Sequence, residues 1–229
     1  MAAFEVHFRP MRVSDLEEVR ALHEEWFPVR YSYSFYDAAV RERMVGTNEP
    51  LFTLIAEVDE DDRRRIIGLP APLFVENETS RVMYVLTLGS HARYRRRGIA
   101  RELLQRCIAR AEAEPACGAV YLHVITHNDV AIQFYKSNDF ECLGEISDYY
   151  RIDGSLYNCF IYAYYLPRAK IVTSMMTSTA PRATRRLLSS TLSSLFPAAL
   201  RSCFRSPAVP SKQQQQQQQQ QITATSEAA

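Results

Sequence analysis

Tyr84-Val-Leu-Thr-Leu-Gly89 runs directly into Ser90-His-Ala-Arg-Tyr-Arg95-Arg-Arg-Gly98-Ile-Ala100, and the fold turns on how this passage is read. Its first half is a strand, because Val82, Tyr84, Leu86 and Leu88 alternate with their neighbours at a period of two. Its second half is a short basic loop. From Ile99 to Ala113 the apolar residues Leu103, Leu104, Cys107, Ile108 and Ala111 recur at steps of three and four, which makes one stripe on a helix. The loop therefore sits on the turn that enters an amphipathic helix. There the first backbone N–H groups lack internal partners, and the positive end of the macrodipole lies behind them. A pyrophosphate is a natural guest at such a place. Gly98 allows the backbone to close on the anion and Ala100 keeps the second approach open. A basic loop that merely precedes an ordinary helix is the plainer alternative.

The totals narrow the field. The chain of 229 residues is 47% hydrophobic, enough for one domain of ordinary size with a remainder. A net charge of +1 conceals a division. Residues 1–166 carry 19 basic and 25 acidic side chains, whereas the rest carries 8 basic and 1 acidic. The body is mildly acidic and the tail is basic. Five scattered cysteines form neither a zinc spacing nor a disulfide framework. The Met-Ala-Ala-Phe start does not read as a signal peptide, and no apolar run approaches the roughly 18 residues of a membrane span. These features predict a cytosolic body whose membrane contact, if any, comes from its surface.

Along the chain, 4–9 alternates and predicts a first strand. Ser14-Asp15 should cap a helix that turns Leu16, Val19, Leu22 and Trp26 inward, with Pro28 ending it. A shorter helix over 35–44 and a strand over 51–58 follow. The charged run 59–65 reads as a solvated hairpin tip, and 66–75 as the returning strand. Pro70 and Pro72 are poor ladder donors, so a bulge or break is expected there. A dense strand over 119–125, a helix starting at Thr126-His-Asn128-Asp129, and a closing strand pair over 140–150 and 156–166 complete a mixed α/β layer. The expected organisation is a folded domain over 1–166, a basic amphipathic tail over 167–206, and a polyglutamine tail over 207–229.

The pattern Arg95-x-x-Gly98-x-Ala100 after a strand resembles the acetyl-CoA pyrophosphate loop of the GNAT N-acetyltransferases. A second constellation, Asn128-x-x-Ala131-x-x-x-Tyr135-x-x-x-Asp139-Phe140, resembles the segment in which that family holds the pantetheine arm and faces the thioester sulfur with a tyrosine. Asp139 stands where the family more often has glycine. The resemblance implies the GNAT acyl-CoA N-acyltransferase fold, α/β (α+β), with a mixed central sheet flanked by helices. It also implies acetyl-CoA as cosubstrate and no metal.

Within that superfamily, Trp26-Phe27-Pro28-Val-Arg-Tyr31, Val120-Tyr-Leu-His-Val-Ile-Thr126 and Asp148-Tyr149-Tyr150 resemble the N-alpha-acetyltransferases, over nearly all of 4–166. Carried over residue by residue, this resemblance implies that Tyr84 and His123 form the proton-accepting pair and that Tyr135 protonates the departing thiolate. Phe27, Pro28, Tyr31, Leu86 and Tyr150, with Tyr149 adjacent, would form the peptide pocket. Leu88, Gly89 and Ser90, then Arg96, Arg97, Gly98, Ile99, Ala100 and Arg101, then Asn128, Tyr135, Lys136, Ser137 and Asn138 would contact acetyl-CoA. The implied substrates are protein N-termini, Met-starting ones above all, reached from the cytosolic face of Golgi membranes by a monomer or weak homodimer.

The chemistry is reasonable on its own terms. An α-amino group has a pKa of about 7.7–8.0, so a base near neutrality suffices, whereas lysine at about 10.4 would need more. His123 should titrate in that range, with Tyr84 holding a relay water. A lone strand histidine packed in a core is the bland alternative. In the tail, leucines gather with arginines over 182–204, which fits a helix lying in a membrane interface. Acetylation of internal lysines, histone tails included, is a rival reading, and so is a membrane-tethered scaffold that binds acetyl-CoA without turnover. Nucleic acid is not an expected partner, since the body is acidic.

Overall fold

A computed structural model describes residues 5–43, 51–60, 63–76 and 81–167. The expected tail segments over 168–229 lie outside the described residues, as does Met44; the helix expected over 35–44 runs from Tyr33 to Val40 and ends in a turn at 41–42.

The described elements are β1 (Val6–Arg9), α1 (Leu16–Trp26), α2 (Tyr33–Val40), β2 (Ile55–Glu60), β3 (Arg63–Glu76), β4 (Arg81–Ser90), α3 (Ile99–Glu112), β5 (Cys117–Ile125), α4 (Asp129–Lys136), β6 (Glu141–Ile152) and β7 (Ser155–Tyr165). Short 3₁₀ turns at Val13–Asp15 and Ala92–Tyr94 precede α1 and the basic loop. Among the described residues the strands form one sheet in the order β1-β2-β3-β4-β5-β7-β6. Every neighbouring pair is antiparallel except β4 and β5, which run parallel. That parallel step needs a crossover, and α3 supplies it. The mixed sheet with helices on both faces is the architecture the alternating pattern predicts.

Strand alternation sorts the core into two faces. Val82, Tyr84 and Tyr121 pack with Leu16 and Val19 of α1 and with Phe35 and Tyr36 of α2. Met83, Val85, Val120 and Leu122 pack with Leu104, Cys107 and Ile108 of α3 and with Tyr135 of α4. Ile99 and Leu103 cover a third patch formed by Ala56, Val58 and Ile67.

Several details differ from the sequence reading. The 51–58 strand begins only at Ile55, and Leu51 makes a lone bridge to Leu73. Arg63, Arg64 and Arg65 lie within β3 rather than on a hairpin tip, because cross-strand acids hold them in the ladder. Arg64 donates to Glu57 at 3.0 Å and pairs with Asp59 at 3.5 Å, while Arg65 pairs with Glu60 at 3.3 Å. Asp15 does not cap α1 with its side chain. Its carboxylate instead accepts from the Arg9 guanidinium at 2.6 and 3.0 Å and from the Arg12 N–H at 2.7 Å. Arg9 also donates to the buried Glu57 at 2.8 Å. A carboxylate so deeply buried persists because two guanidiniums satisfy it.

The prolines do not break β3. The Phe52 N–H donates to the Pro72 carbonyl at 3.0 Å, so Pro72 turns its polar edge away from β4, and Pro70, two residues earlier, shares that edge. The β2 ladder has already ended at the Ala56–Gly68 pair. The missing N–H groups therefore cost no ladder bond. The expected bulge is present, but the extra residue belongs to β4.

Candidate active site

The site begins where β4 and β5 part. They pair only from Arg81 opposite Cys117 to Tyr84 opposite Tyr121. Beyond that rung β4 follows β3, and β5 follows β7 as far as Ile125. Across β3, the pairing steps from Pro72 opposite Val85 to Pro70 opposite Leu88. One extra residue on β4 makes the bulge, which bends the strand out of register with β5. As a result both Leu86 and Thr87 face α1 and α2. Leu86 packs on that core, and the Thr87 hydroxyl donates to His23 Nε2 at 3.3 Å. His23 Nδ1–H donates to the Val19 carbonyl at 3.0 Å, which fixes the tautomer. Leu88 consequently packs on the opposite face with α3, not beside Tyr84 as unbroken alternation predicts. The His91 N–H donates to Ile67 at 2.8 Å. By alternation Gly89 also turns its polar groups to β3, and Leu88 and Ser90 turn theirs into the gap.

Aromatic rings line the closed end of that gap. Tyr84 is 1% exposed, and its hydroxyl shares a hydrogen bond of 3.2 Å with His123 Nδ1. Tyr121 stacks on Tyr84 at 4.8 Å, and Tyr149 stacks on His123 at 4.5 Å. The Tyr150 ring meets Tyr149 edge-on at 4.7 Å, and its hydroxyl donates to the His123 carbonyl at 3.4 Å. Burial, then the neighbouring Tyr149, Tyr150 and Tyr121, raises the Tyr84 pKa well above its ordinary value. Tyr84 therefore stays a neutral hydroxyl. Burial pulls His123 down to about 3, which corrects the expectation of titration near neutrality. His123 is a neutral imidazole in this site, able to accept a proton only from a strong acid.

The basic loop is shaped as the pattern suggested. Arg96 and Gly98 both take left-handed φ values, 60° and 82°. Gly98 is the N-cap of α3 without a side-chain cap, so the first-turn amides of Ile99, Ala100 and Arg101 are not covered by one. Alternating handedness with bare amides makes an anion-binding concavity. A Cβ at Gly98 would touch nothing, so conformation, not space, calls for glycine. Arg95, Arg96, Arg97 and Arg101 are exposed around it.

Across the sheet, Asn128 caps α4, its side chain accepting from the Ala131 N–H at 3.1 Å. Its oxygen is thus committed to the helix, and its NH₂ remains for a ligand. Tyr135 is buried against Phe140, with its pKa raised by burial and secondarily by Cys107. Lys136 is exposed, but Ser137 and Asn138 turn back to the Phe134 carbonyl at 2.8 and 2.7 Å. Both side chains thereby help to close the helix. Asp139 takes φ 63°, the left-handed position that glycine fills elsewhere in this pattern. Tyr84 and Tyr135 thus approach the gap from opposite faces of the sheet.

Phe27, Pro28 and Tyr31 lie on the turn from α1 to α2. Phe27 packs 5.1 Å from His23, and Tyr31 stacks on Phe35 at 4.5 Å. Sequence reasoning missed His23, Thr87 and Tyr121. The i, i+2 spacing of Tyr121 and His123 on one strand could have revealed Tyr121, whereas the link between His23 and Thr87 exists only because of the bulge. It also missed why Tyr149 enters the site. Asp148 has φ 55°, its N–H donates to Asn158 at 3.0 Å, and the pairing slips between Ile146 and Tyr150. Among the described residues no group of His, Cys, Asp and Glu could hold a metal, and no helix is long and apolar enough to cross a membrane.

A comparison with known families places this arrangement. The model described as Acetyltransferase (GNAT) family matches residues 16–140. The chain belongs to the acetyltransferase (GNAT) family. This GNAT chain is 30% identical over 183 residues to N-alpha-acetyltransferase 60 of Danio rerio, spanning 72% of each. It is 29% identical over 177 residues to Histone acetyltransferase MCC1 of Arabidopsis thaliana, spanning 70% of each. Its fold matches a crystal structure of Arabidopsis thaliana NAA60 in complex with a bisubstrate analogue, with TM-score 0.64 and 29% identity. That match covers 71% of this chain and 99% of the other.

Proposed function

We propose that this GNAT acetyltransferase moves the acetyl group of acetyl-CoA to the free α-amino group of protein N-termini, preferring those that begin with methionine. The observation that carries the reading is the Tyr84–His123 hydrogen bond at the point where β4 and β5 separate. The resemblance to N-alpha-acetyltransferases, the NAA60 complex among them, supports it.

The residues present fit acetyl-CoA. Bare amides at Ile99, Ala100 and Arg101, with the flanking arginines, would hold its phosphates, and the gap-facing edge of Leu88 and Ser90 would hold its pantetheine arm. When bound it supplies the activated acetyl group. The Leu88 N–H, fixed in advance and facing the gap, is placed to stabilise negative charge on the acetyl oxygen. Tyr84 and His123 orient the incoming amine from the α1/α2 face, and Tyr135 is the proton donor nearest the sulfur side. His123 is not a strong base. An amine that is forming an amide bond becomes far more acidic than a free ammonium, so a neutral imidazole reached through Tyr84 suffices. Phe27, Pro28, Tyr31, Leu86, Tyr149 and Tyr150 would wall the first side chain, and methionine sulfur is well accommodated by aromatic rings.

Two finer elements belong to the same proposal. The basic, leucine-bearing tail would lie on the cytosolic face of a membrane, the Golgi membrane by resemblance, with the enzyme a monomer or weak homodimer. The second reading, acetylation of internal lysines, is favoured by the similarity to the Arabidopsis histone acetyltransferase. CoA release on free N-terminal peptides, N-terminally blocked lysine peptides and doubly blocked controls separates the two. Turnover confined to free N-termini, lost in Tyr84→Phe, is the expected result; equal use of blocked lysine peptides refutes it. Removal of 168–229 should abolish binding to anionic liposomes and leave peptide turnover intact.

A further inference from the structure

His23 is a titratable side chain in the core that no step assigned so far employs. It lies on the inward stripe of α1 with Leu16, Val19 and Trp26, where an apolar residue is expected, and it is 1% exposed. An imidazole stays at that depth without a desolvation cost only if both ring nitrogens are satisfied. Nδ1–H gives its proton to the Val19 carbonyl one turn back, at 3.0 Å. Nε2 is therefore an acceptor, and the buried Thr87 hydroxyl donates to it at 3.3 Å. Burial holds the ring at about 4, below its ordinary 6.5, so that acceptor is present at neutral pH.

The same imidazole is the hub of the proposed peptide wall. Phe27 lies 5.1 Å from it, Tyr31 5.8 Å, Phe35 5.9 Å and Tyr36 5.4 Å, the last three edge-on. Phe27 is also bounded by β4, since an added Cβ on Gly89 would come within 2.8 Å of its ring. Rings packed on rings are free to slide, because apolar burial has no direction. A hydrogen bond fixes distance and angle. The bond from Thr87 to His23 thus sets how the end of α1 sits over β4. Thr87 makes it only because the bulge turns it to the α1 face beside Leu86. Along its other edge β4 is held by β3, so loss of the bond moves the wall and leaves the strand in place.

We propose that His23 is a positioning residue whose bond to Thr87 sets the width of the slot walled by Phe27 and Tyr31, and thereby selects the first side chain of the acceptor peptide. A long, unbranched side chain such as methionine gains most from rings held at a fixed spacing. A short one such as alanine leaves the rings largely untouched and gains little from their placement. When the bond is absent the wall relaxes, and the longer side chain loses its contacts. The inference rests on the N-terminal acetyltransferase reading given above.

The test compares wild type, Thr87→Val, Thr87→Ser and His23→Phe on two peptides that differ only in starting with Met or Ala. Thr87→Val keeps nearly the shape of threonine and removes its donor, leaving Nε2 buried without one. It should raise KM for the Met-starting peptide roughly tenfold, with kcat and the acetyl-CoA Kd within about twofold of wild type. The preference for Met over Ala, as a ratio of kcat/KM values, should fall by a similar factor. Thr87→Ser restores the donor and should keep KM and preference within about twofold. His23→Phe should behave as Thr87→Val does, and adding Thr87→Val to it should cost nothing further, since the buried nitrogen is gone. An unchanged preference in Thr87→Val overturns the inference. So do equal losses for both peptides and for acetyl-CoA, or a Thr87→Ser as impaired as Thr87→Val. A crystal structure of Thr87→Val gives an answer free of turnover: Phe27 and Tyr31 in their wild-type places overturn it too. If wild type itself fails to acetylate any N-terminal peptide, the functional reading fails instead.

Discussion

Gly68 and Gly89 lie on neighbouring rungs of β3 and β4, and a methyl group at each would strike a different half of the enzyme. At Gly89 an added Cβ would come within 2.7 Å of the Trp26 ring and 2.8 Å of the Phe27 ring. Both rings belong to the end of α1, and neither can bend, so relief requires α1 to retreat by about 0.7 Å to reach ordinary contact near 3.4 Å. At Gly68 the added Cβ would meet Leu103 Cδ1 at 2.9 Å and Ile99 Cγ2 at 3.0 Å. Those are the far ends of flexible side chains, on the α3 face. Overpacking of this kind costs about 1–3 kcal/mol where the neighbours are rigid. If Gly89→Ala spends about 1–2 kcal/mol by displacing Phe27, peptide KM should rise roughly 5- to 30-fold, with acetyl-CoA affinity within twofold of wild type. Gly68→Ala should show the reverse pattern, weaker acetyl-CoA binding at unchanged peptide KM, and a smaller effect. Peptide KM from CoA release and acetyl-CoA Kd from calorimetry decide it. Equal losses on both substrates in Gly89→Ala would refute the claim that this contact sets the peptide wall.

Gly98→Ala meets no atom but must hold φ near 82°; it should cost about 1–2 kcal/mol and weaken acetyl-CoA binding more than peptide binding, as calorimetry would report. Asp139→Gly should relieve its left-handed φ of 63° and raise stability by about 0.5–1 kcal/mol, a melting shift of roughly 1–4 °C. His23 and His123 are both held below the unperturbed 6.5, at about 4 and about 3, by burial. The unfolded chain therefore binds more protons, and stability should fall as pH drops from about 6.5 toward 4. In urea titrations, His23→Gln should reduce that slope by one proton, about 1.4 kcal/mol per pH unit.

The outline of the fold was readable because its signals are local. The stripe from Ile99 to Ala111, the alternating residues around Tyr84 and the Asn128 cap each depend on near neighbours in sequence. The candidate pair was readable too, since Tyr84 and His123 sit in strands whose types those patterns define. What could not be read depends on pairing between distant strands. The β4 bulge is a mismatch between β3 and β4, and it alone moves Leu88 to the other face and brings Thr87 to His23. The placement of Tyr149 over His123 depends on Asp148 slipping against Asn158. Asp15 looked like the cap of α1 because the sequence does not show the 3₁₀ turn Val13–Asp15 in front of that helix, in which the Asp15 carboxylate accepts from the Arg12 N–H and from Arg9. Asn138 also closes α4, through the Phe134 carbonyl four residues earlier.

The character of the slot bears on the choice between α-amine and lysine. The pair at its centre is surrounded by Tyr121, Tyr149 and Tyr150, and the same burial that lowers His123 to about 3 would act on any ammonium that entered. Desolvation disfavours the charged form whichever group carries it. An amine must therefore arrive neutral, and the surroundings help it to do so without a strong base. An α-amine starts from a pKa of about 7.7–8.0 and lysine from about 10.4, a gap of roughly 2.5 units, or about 3.4 kcal/mol. At pH 7 that difference alone gives an α-amine roughly a 300-fold advantage in kcat/KM. Between pH 8 and 10 the α-amine is already neutral while lysine still gains about tenfold per unit. For peptides matched except for the acceptor, the ratio should shrink by that factor with each pH unit. A ratio that stays constant across this range would mean that shape, not proton occupancy, makes the selection.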